Sequence, residues 1–268
     1  MKKAMACAGL LLAGILGAAE NSPSTNLNDV ALWEKNRHLT CTADGSFQIQ
    51  TPTMVQLKEL FPVNPDATYC FTGEIKKSKD APSARFLAGF LLYDKDKKVI
   101  DMVHVNVIRG TLTALAEPVK AGDSVIKIEN GGRWTANTAY HAAFNAGPLP
   151  NRDISAGAIA AVKREGTSWS VSLNKPLQKN YPKGTKVQIQ GHGGYFYSAI
   201  ETPSDQWKRF GKTIKGVSRN SIEATQFWPG TAYMKPMMMP NWDWQNPDMK
   251  NLKTDIRNLK LETSGTVK

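Results

Sequence analysis

Tyr69, Phe71, Gly73 and Ile75 alternate with Cys70, Thr72, Glu74 and Lys76, which is the period of a strand with one face buried. Pro65 and Asp66 supply a turn before it. Phe86–Tyr93 is a continuous apolar run that ends at Asp94-Lys95-Asp96-Lys97-Lys98, and residues 99–108 resume with Val, Ile, Met and His. Two strands joined by a charged turn are expected there. Further strands are predicted at 124–129, 169–173, 185–190, 194–200, 232–237 and 255–262, nearly all separated by Gly, Pro or Asn. Residues 53–61 fit either a helix or a strand, since Val55 and Leu57 alternate. Many short strands with regular turn signals predict an all-β sandwich or barrel.

Residues 110–191 differ from their flanks, being rich in Ala, Gly, Thr and Asn, with Gly-Thr pairs at Gly110-Thr111 and Gly184-Thr185. They read as a small β domain inserted into a loop of a larger one formed by 20–109 and 192–263, with 264–268 as a tail. A single continuous sandwich with long loops is the alternative.

The first 19 residues change the picture most. Lys2 and Lys3 precede an uncharged apolar stretch over 4–17, and Gly17, Ala18 and Ala19 stand before Glu20. Charge, apolar core and small-residue cleavage site in that order predict a cleaved secretory signal. The stretch is shorter than the roughly 20 residues that span a bilayer. A secreted or periplasmic protein without a transmembrane segment is expected. The formal charge is +11, and loss of Lys2 and Lys3 with the signal lowers it to +9. That balance favours acidic partners, for an exported protein anionic polysaccharide or an envelope surface and not nucleic acid, the alternative being a plain solvated basic surface. Export also removes Cys7 and leaves Cys41 and Cys70, which form either one disulfide in an oxidising compartment or two free thiols.

Four stretches fall in a familiar order: residues 64–76 (NPDATYCFTGEIK), 89–100, 207–216 (WKRFGKTIKG) and 255–262 (DIRNLKLE). Together they resemble the galactose-binding-like jelly-roll family of carbohydrate-binding modules over roughly 53–109 and 192–262, leaving the central segment outside. The resemblance implies a jelly-roll β-sandwich that binds glycan. It also implies that Asp255 matches an acidic residue that in many such modules helps hold a structural calcium. A core-packing role is expected for Trp207, with Phe210 and Ile214.

Catalytic motifs are missing. The chain has no H-E-x-x-H, no G-x-x-x-x-G-K-[ST] and no G-x-S-x-G. Of the four histidines, His38, His104 and His141 are scattered, and His192 sits in a glycine-rich turn where it could meet a ligand. Sugar binding calls for aromatics beside amides and carboxylates, because sugar C–H faces stack on rings while the hydroxyls hydrogen-bond. The stretch from Asn241 through Trp242, Asp243 and Trp244 fits that recipe, as does Trp228, the alternative being that Trp242 and Trp244 pack over Met237-Met238-Met239; Tyr195 and Tyr197 share one strand face, with core and ligand roles both open. The expected function is a non-catalytic carbohydrate-binding protein that stacks sugars on these residues. The alternatives are a structural or protein-interaction subunit of an envelope or extracellular assembly, and a glycan-active enzyme.

Overall fold

A computed structural model describes residues 24–49, 53–78, 84–220, 222–240 and 252–265. The strands are β1 (Ser24–Asn26), β2 (Thr40–Cys41), β3 (Phe47–Ile49), β4 (Val55–Gln56), β5 (Phe61–Pro62), β6 (Thr68–Lys77) and β7 (Phe86–Tyr93). There follow β8 (Thr113–Ala114), β9 (Val125–Ile128), β10 (Asn137–Phe144), β11 (Ile154–Glu165), β12 (Ser168–Leu173) and β13 (Lys186–Gly191). The chain closes with β14 (Phe196–Glu201), β15 (Lys208–Phe210), β16 (Thr213–Lys215), β17 (Tyr233–Met239) and β18 (Thr254–Ser264). Among the described residues the helical elements are three short 3-10 turns. The fold is all-β: a jelly-roll β-sandwich with a small β domain inserted between β7 and β14.

One layer of the sandwich orders β15-β6-β18-β3-β2, with β1 on β18 and β16 on β6; the other orders β14-β7-β17-β4, with β5 on β17. The alternation read in β6 sends Tyr69, Phe71 and Ile75 inward, where they meet Ile256, Leu259 and Leu261 of β18 and Phe86, Phe90 and Leu92 of β7. Aromatic edges hold the layers together, with Phe71 and Phe90 centroids 6.1 Å apart and Phe90 and Phe227 centroids 5.5 Å apart at 80°. The other face of β7 is buried as well. There Leu87 and Leu91 gather with Met237 and Met239 of β17.

The six strands β8-β13-β10-β11-β12-β9 form a third sheet. Its ends meet, since Ala116 N donates to Lys127 O at 2.8 Å and Glu129 N donates to Ala114 O at 2.9 Å. Closing a sheet into a barrel removes its free edges. The interior is a separate apolar cluster that includes Ile126, Phe144, Ile159, Val171 and Ile189, with Phe144 stacked on Tyr181 at 3.9 Å. The chain enters and leaves between β7 and β14, which pair with each other antiparallel. Arg152 ties the barrel back to the β7 turn through Asp94, at 2.8 Å.

Several expectations are corrected. Residues 99–108 do not form a strand: pairing with β7 stops at Ile100, and a 3-10 turn over Met102–His104 follows. His104 Nδ1 accepts the Asp101 N–H at 3.0 Å and stabilises that turn. Burial pushes the His104 imidazole below its ordinary value, which keeps that nitrogen a free acceptor. Residues 53–61 supply only β4 and the start of β5. Trp207 is not in the core. Strand alternation puts Phe210 inward, and Trp207, three residues earlier, faces outward. Cys41 and Cys70 are both free thiols. Cys41 lies on β2 and Cys70 on β6, with β18 and β3 between them. Three strand spacings of about 4.8 Å separate the two strands, well beyond the ~7 Å between Cα atoms that a disulfide tolerates.

Candidate functional site

The outward positions of the seven-stranded sheet carry a row of polar and charged residues. β6 presents Cys70, Thr72, Glu74 and Lys76; β18 presents Asp255, Arg257, Lys260 and Glu262; Arg209 lies beside them on β15, opposite Glu74. Strict alternation would put Arg257 and Lys260 on opposite faces, since they are three apart. A β-bulge resolves this: the register shifts between them and Asn258 adopts a positive φ of 54°. Leu259 therefore points into the core while both cations face out.

One end of this face is locked by ion pairing. Arg257 Nε donates to Glu74 Oε2 at 2.6 Å, and Asn258 Nδ2 donates to the same oxygen at 3.0 Å. The Arg257 guanidinium carbon lies 4.0 Å from the Trp207 ring centroid, and Lys76 Nζ lies 4.7 Å from it. These are cation–π contacts on a partly buried ring. The Arg257 hydrogen bond holds the Glu74 carboxyl below its ordinary range, outweighing burial. A glycosidase acid needs a carboxyl whose pKa is raised, so Glu74 is not suited to that role.

The other end is open. Two adjoining depressions of ≈430 and ≈500 Å³ share Arg209, Lys260 and Glu262; Thr72, Glu74 and Asn258 line the first, and Thr68, Cys70 and Thr213 the second. Among the described residues, neither Arg209 nor Lys260 has an ion-pair partner within 4 Å. Burial, followed by the nearby Glu262 charge, pushes the Cys70 thiol up, so it is protonated and unreactive at neutral pH. This face offers an extended polar ligand hydrogen-bond donors and acceptors and, among the described residues, the two cations Arg209 and Lys260 outside any ion pair.

The residues expected from sequence are dispersed. Asn241, Trp242, Asp243 and Trp244 lie outside the described residues. Trp228 is 3 % exposed in the sandwich core, edge-on to Phe196 at 5.8 Å. This corrects its expected role, because a ring packed on that core presents no face to a sugar. Tyr195 is 37 % exposed and meets Tyr197 edge to face at 6.3 Å, on the sheet opposite the polar face. Tyr197 is half-buried, and its hydroxyl points at Met239 Sδ at 3.8 Å. His192 is exposed at the exit from the barrel.

Asp255 accepts from Gln48 Nε2 at 2.9 Å and Ser78 Oγ at 3.2 Å, with Lys76 Nζ 3.9 Å away. Calcium needs several oxygen ligands. Here the carboxylate is surrounded by an amide donor, a hydroxyl donor and an ammonium, and that donor set does not fit the ion. Among the described residues no group of three or more His, Cys, Asp or Glu side chains could hold a metal ion.

No protein-family model and no curated protein matches the chain. Among solved structures, VP17, a capsid protein of bacteriophage P23-77, is similar at 10 % identity over 88 % of this chain and 96 % of that one, with a TM-score of 0.14. A score that low carries no argument about fold or function.

Proposed function

We propose that this chain is an exported, non-catalytic carbohydrate-binding protein that holds an anionic glycan along the outer face of the seven-stranded sheet. The observation that carries this reading is the pair of cations Arg209 and Lys260, without an ion-pair partner among the described residues, over a polar depression on the same sheet face as the Arg257–Trp207 contact. Guanidinium and ammonium groups pair with uronate or sulfate substituents. Asn258 and Glu262 serve the hydroxyls, and the volumes fall within the range of small-molecule sites, about 300–1,000 Å³. The signal-like residues 1–19 and the basic charge agree with an encounter outside the cell. Trp242 and Trp244, outside the described residues, stay in the proposal as rings that add stacking.

Screening on a panel of neutral, uronate-bearing and sulfated polysaccharides tests it. Retention by the anionic members is expected, weakening as salt is raised because exposed charges are screened. The double variant R209S/K260S should lose about tenfold or more in affinity, equivalent to ~1.4 kcal/mol, with an unchanged circular dichroism spectrum. Absence of retention on every polysaccharide, or full retention by the double variant, contradicts the proposal.

A further inference from the structure

At the exit of the inserted barrel, three side chains come together that the glycan face does not use. Strands β10 and β13 pair so that His141 stands directly across from Gln190, and His192 follows two residues later. The ladder continues past the end of β13, since His192 N donates to Ala139 O at 2.6 Å. Ala142, Phe144, Val187 and Ile189 fill the barrel interior. Alternation therefore places His141, Gln190 and His192 together on its outer side, next to the linker that leaves β7, where Gly191 N donates to Asn106 O at 2.8 Å. The two imidazole centroids are 6.5 Å apart.

Two observations point from this cluster to a ligand. His141 Nδ1 lies 2.9 Å from the Ser155 carbonyl oxygen, and His192 Nδ1 lies 3.1 Å from that of Gly193. A carbonyl oxygen only accepts, so each Nδ1 carries a proton, and in the neutral imidazole the lone pair then sits on Nε2. Metal-ligating histidines are commonly oriented in this way, by a backbone carbonyl on the other nitrogen. Independently, Gln190 is 0 % exposed and neither its amide nitrogen nor its amide oxygen has a hydrogen-bond partner. A buried unpaired amide costs about 1–3 kcal/mol, so a donor or an ion is called for.

We propose that His141 Nε2, His192 Nε2 and the Gln190 amide oxygen bind a divalent transition-metal ion of the class favoured by imidazole, Cu²⁺, Ni²⁺ or Zn²⁺. Two imidazoles on one ion at about 2.0–2.1 Å per nitrogen hold their centroids about 5 Å apart in a tetrahedral site and about 6.4 Å apart when trans. The observed spacing of 6.5 Å stands just beyond the trans limit. His192 is exposed and followed by Gly193 and Gly194, which lets it close the gap.

Calorimetric titration of tag-free protein with Cu²⁺ and with Zn²⁺, together with electron paramagnetic resonance of the Cu²⁺ sample, tests the site. One ion per chain is expected, with the spectrum of two coordinating imidazole nitrogens. H141A and H192A should each weaken binding about tenfold or more. Q190L should also weaken it while leaving the melting temperature unchanged or raised, because the unpaired amide is gone. The site is overturned if the wild type takes up no ion, or if an H141A/H192A double variant binds as tightly as the wild type. A Q190L protein with full affinity overturns the role given to Gln190.

Discussion

Trp228 and Trp207 form a matched pair whose substitution separates packing from binding. Trp228 lies at 3 % exposure among Phe196, Phe227 and their neighbours, and its carbonyl accepts the Thr231 hydroxyl at 2.7 Å. Removing a large buried aromatic costs about 3–5 kcal/mol through lost transfer energy and the residual cavity. For a chain of this size each kcal/mol moves the melting temperature by about 2–4 °C, so W228A should melt about 6–20 °C below the wild type. At a temperature where it remains folded, its glycan affinity should match the wild type. Trp207 should behave in the opposite way. Its loss removes two cation–π contacts worth about 0.5–1 kcal/mol each, a shift of about 2–8 °C, while glycan binding weakens. Differential scanning calorimetry with affinity electrophoresis on the same preparations reads both quantities. If W228A melts within about 2 °C of the wild type and loses glycan, the ring is an exposed platform and the reasoning is refuted.

Two further outcomes follow from the charge and thiol chemistry. Asp153 accepts from Lys179, Tyr181 and Asn145 at 2.8, 2.8 and 2.7 Å; burial pushes its carboxyl up, but these donors outweigh it and leave it below the ordinary value. A folded-state pKa below the unfolded one gives stability that is complete above the ordinary carboxylate value, about 3.9, and lost as pH falls through the folded value. D153N should therefore be about 1–2 kcal/mol less stable than the wild type at neutral pH, and the gap should close in acid; a gap that persists at about pH 2 contradicts this. Thiol titration of unreduced protein lacking residues 1–19 should count both Cys41 and Cys70, with iodoacetamide reacting faster at exposed Cys41 than at Cys70, whose thiol is held up by burial. A fall in melting temperature on adding reductant would mean a disulfide and a different strand order.

What the sequence made legible was strand phase where side chains are large. β6 declares itself through Tyr69, Phe71 and Ile75, and β7 through an apolar run that a strand buried on both faces requires. β10 and β11 were not foreseen, although β11 is the longest strand. Their alanines and glycines lack the β-branched and aromatic side chains that mark a strand, and the second half of β11 is exposed. Trp207 was placed in the core because of its size, but alternation from Phe210 decides its face. The polar face was not legible at all. Each of its residues sits at an outward position, yet only sheet order brings β15 beside β6 and β18, and only the bulge at Asn258 turns both Arg257 and Lys260 outward. His141 and His192 are likewise joined by the β10–β13 register, which sequence does not specify.

The central claim is that glycan lies on the outer face of the seven-stranded sheet. Backbone amide chemical-shift mapping of ¹⁵N-labelled protein, titrated with an anionic oligosaccharide, tests it most directly. The account predicts shifts concentrated at Thr72, Glu74, Arg209, Lys260 and Glu262 and on the indole N–H of Trp207, with the barrel unaffected. Shifts confined to the barrel or to the five-stranded sheet, or none at saturating oligosaccharide, would contradict it.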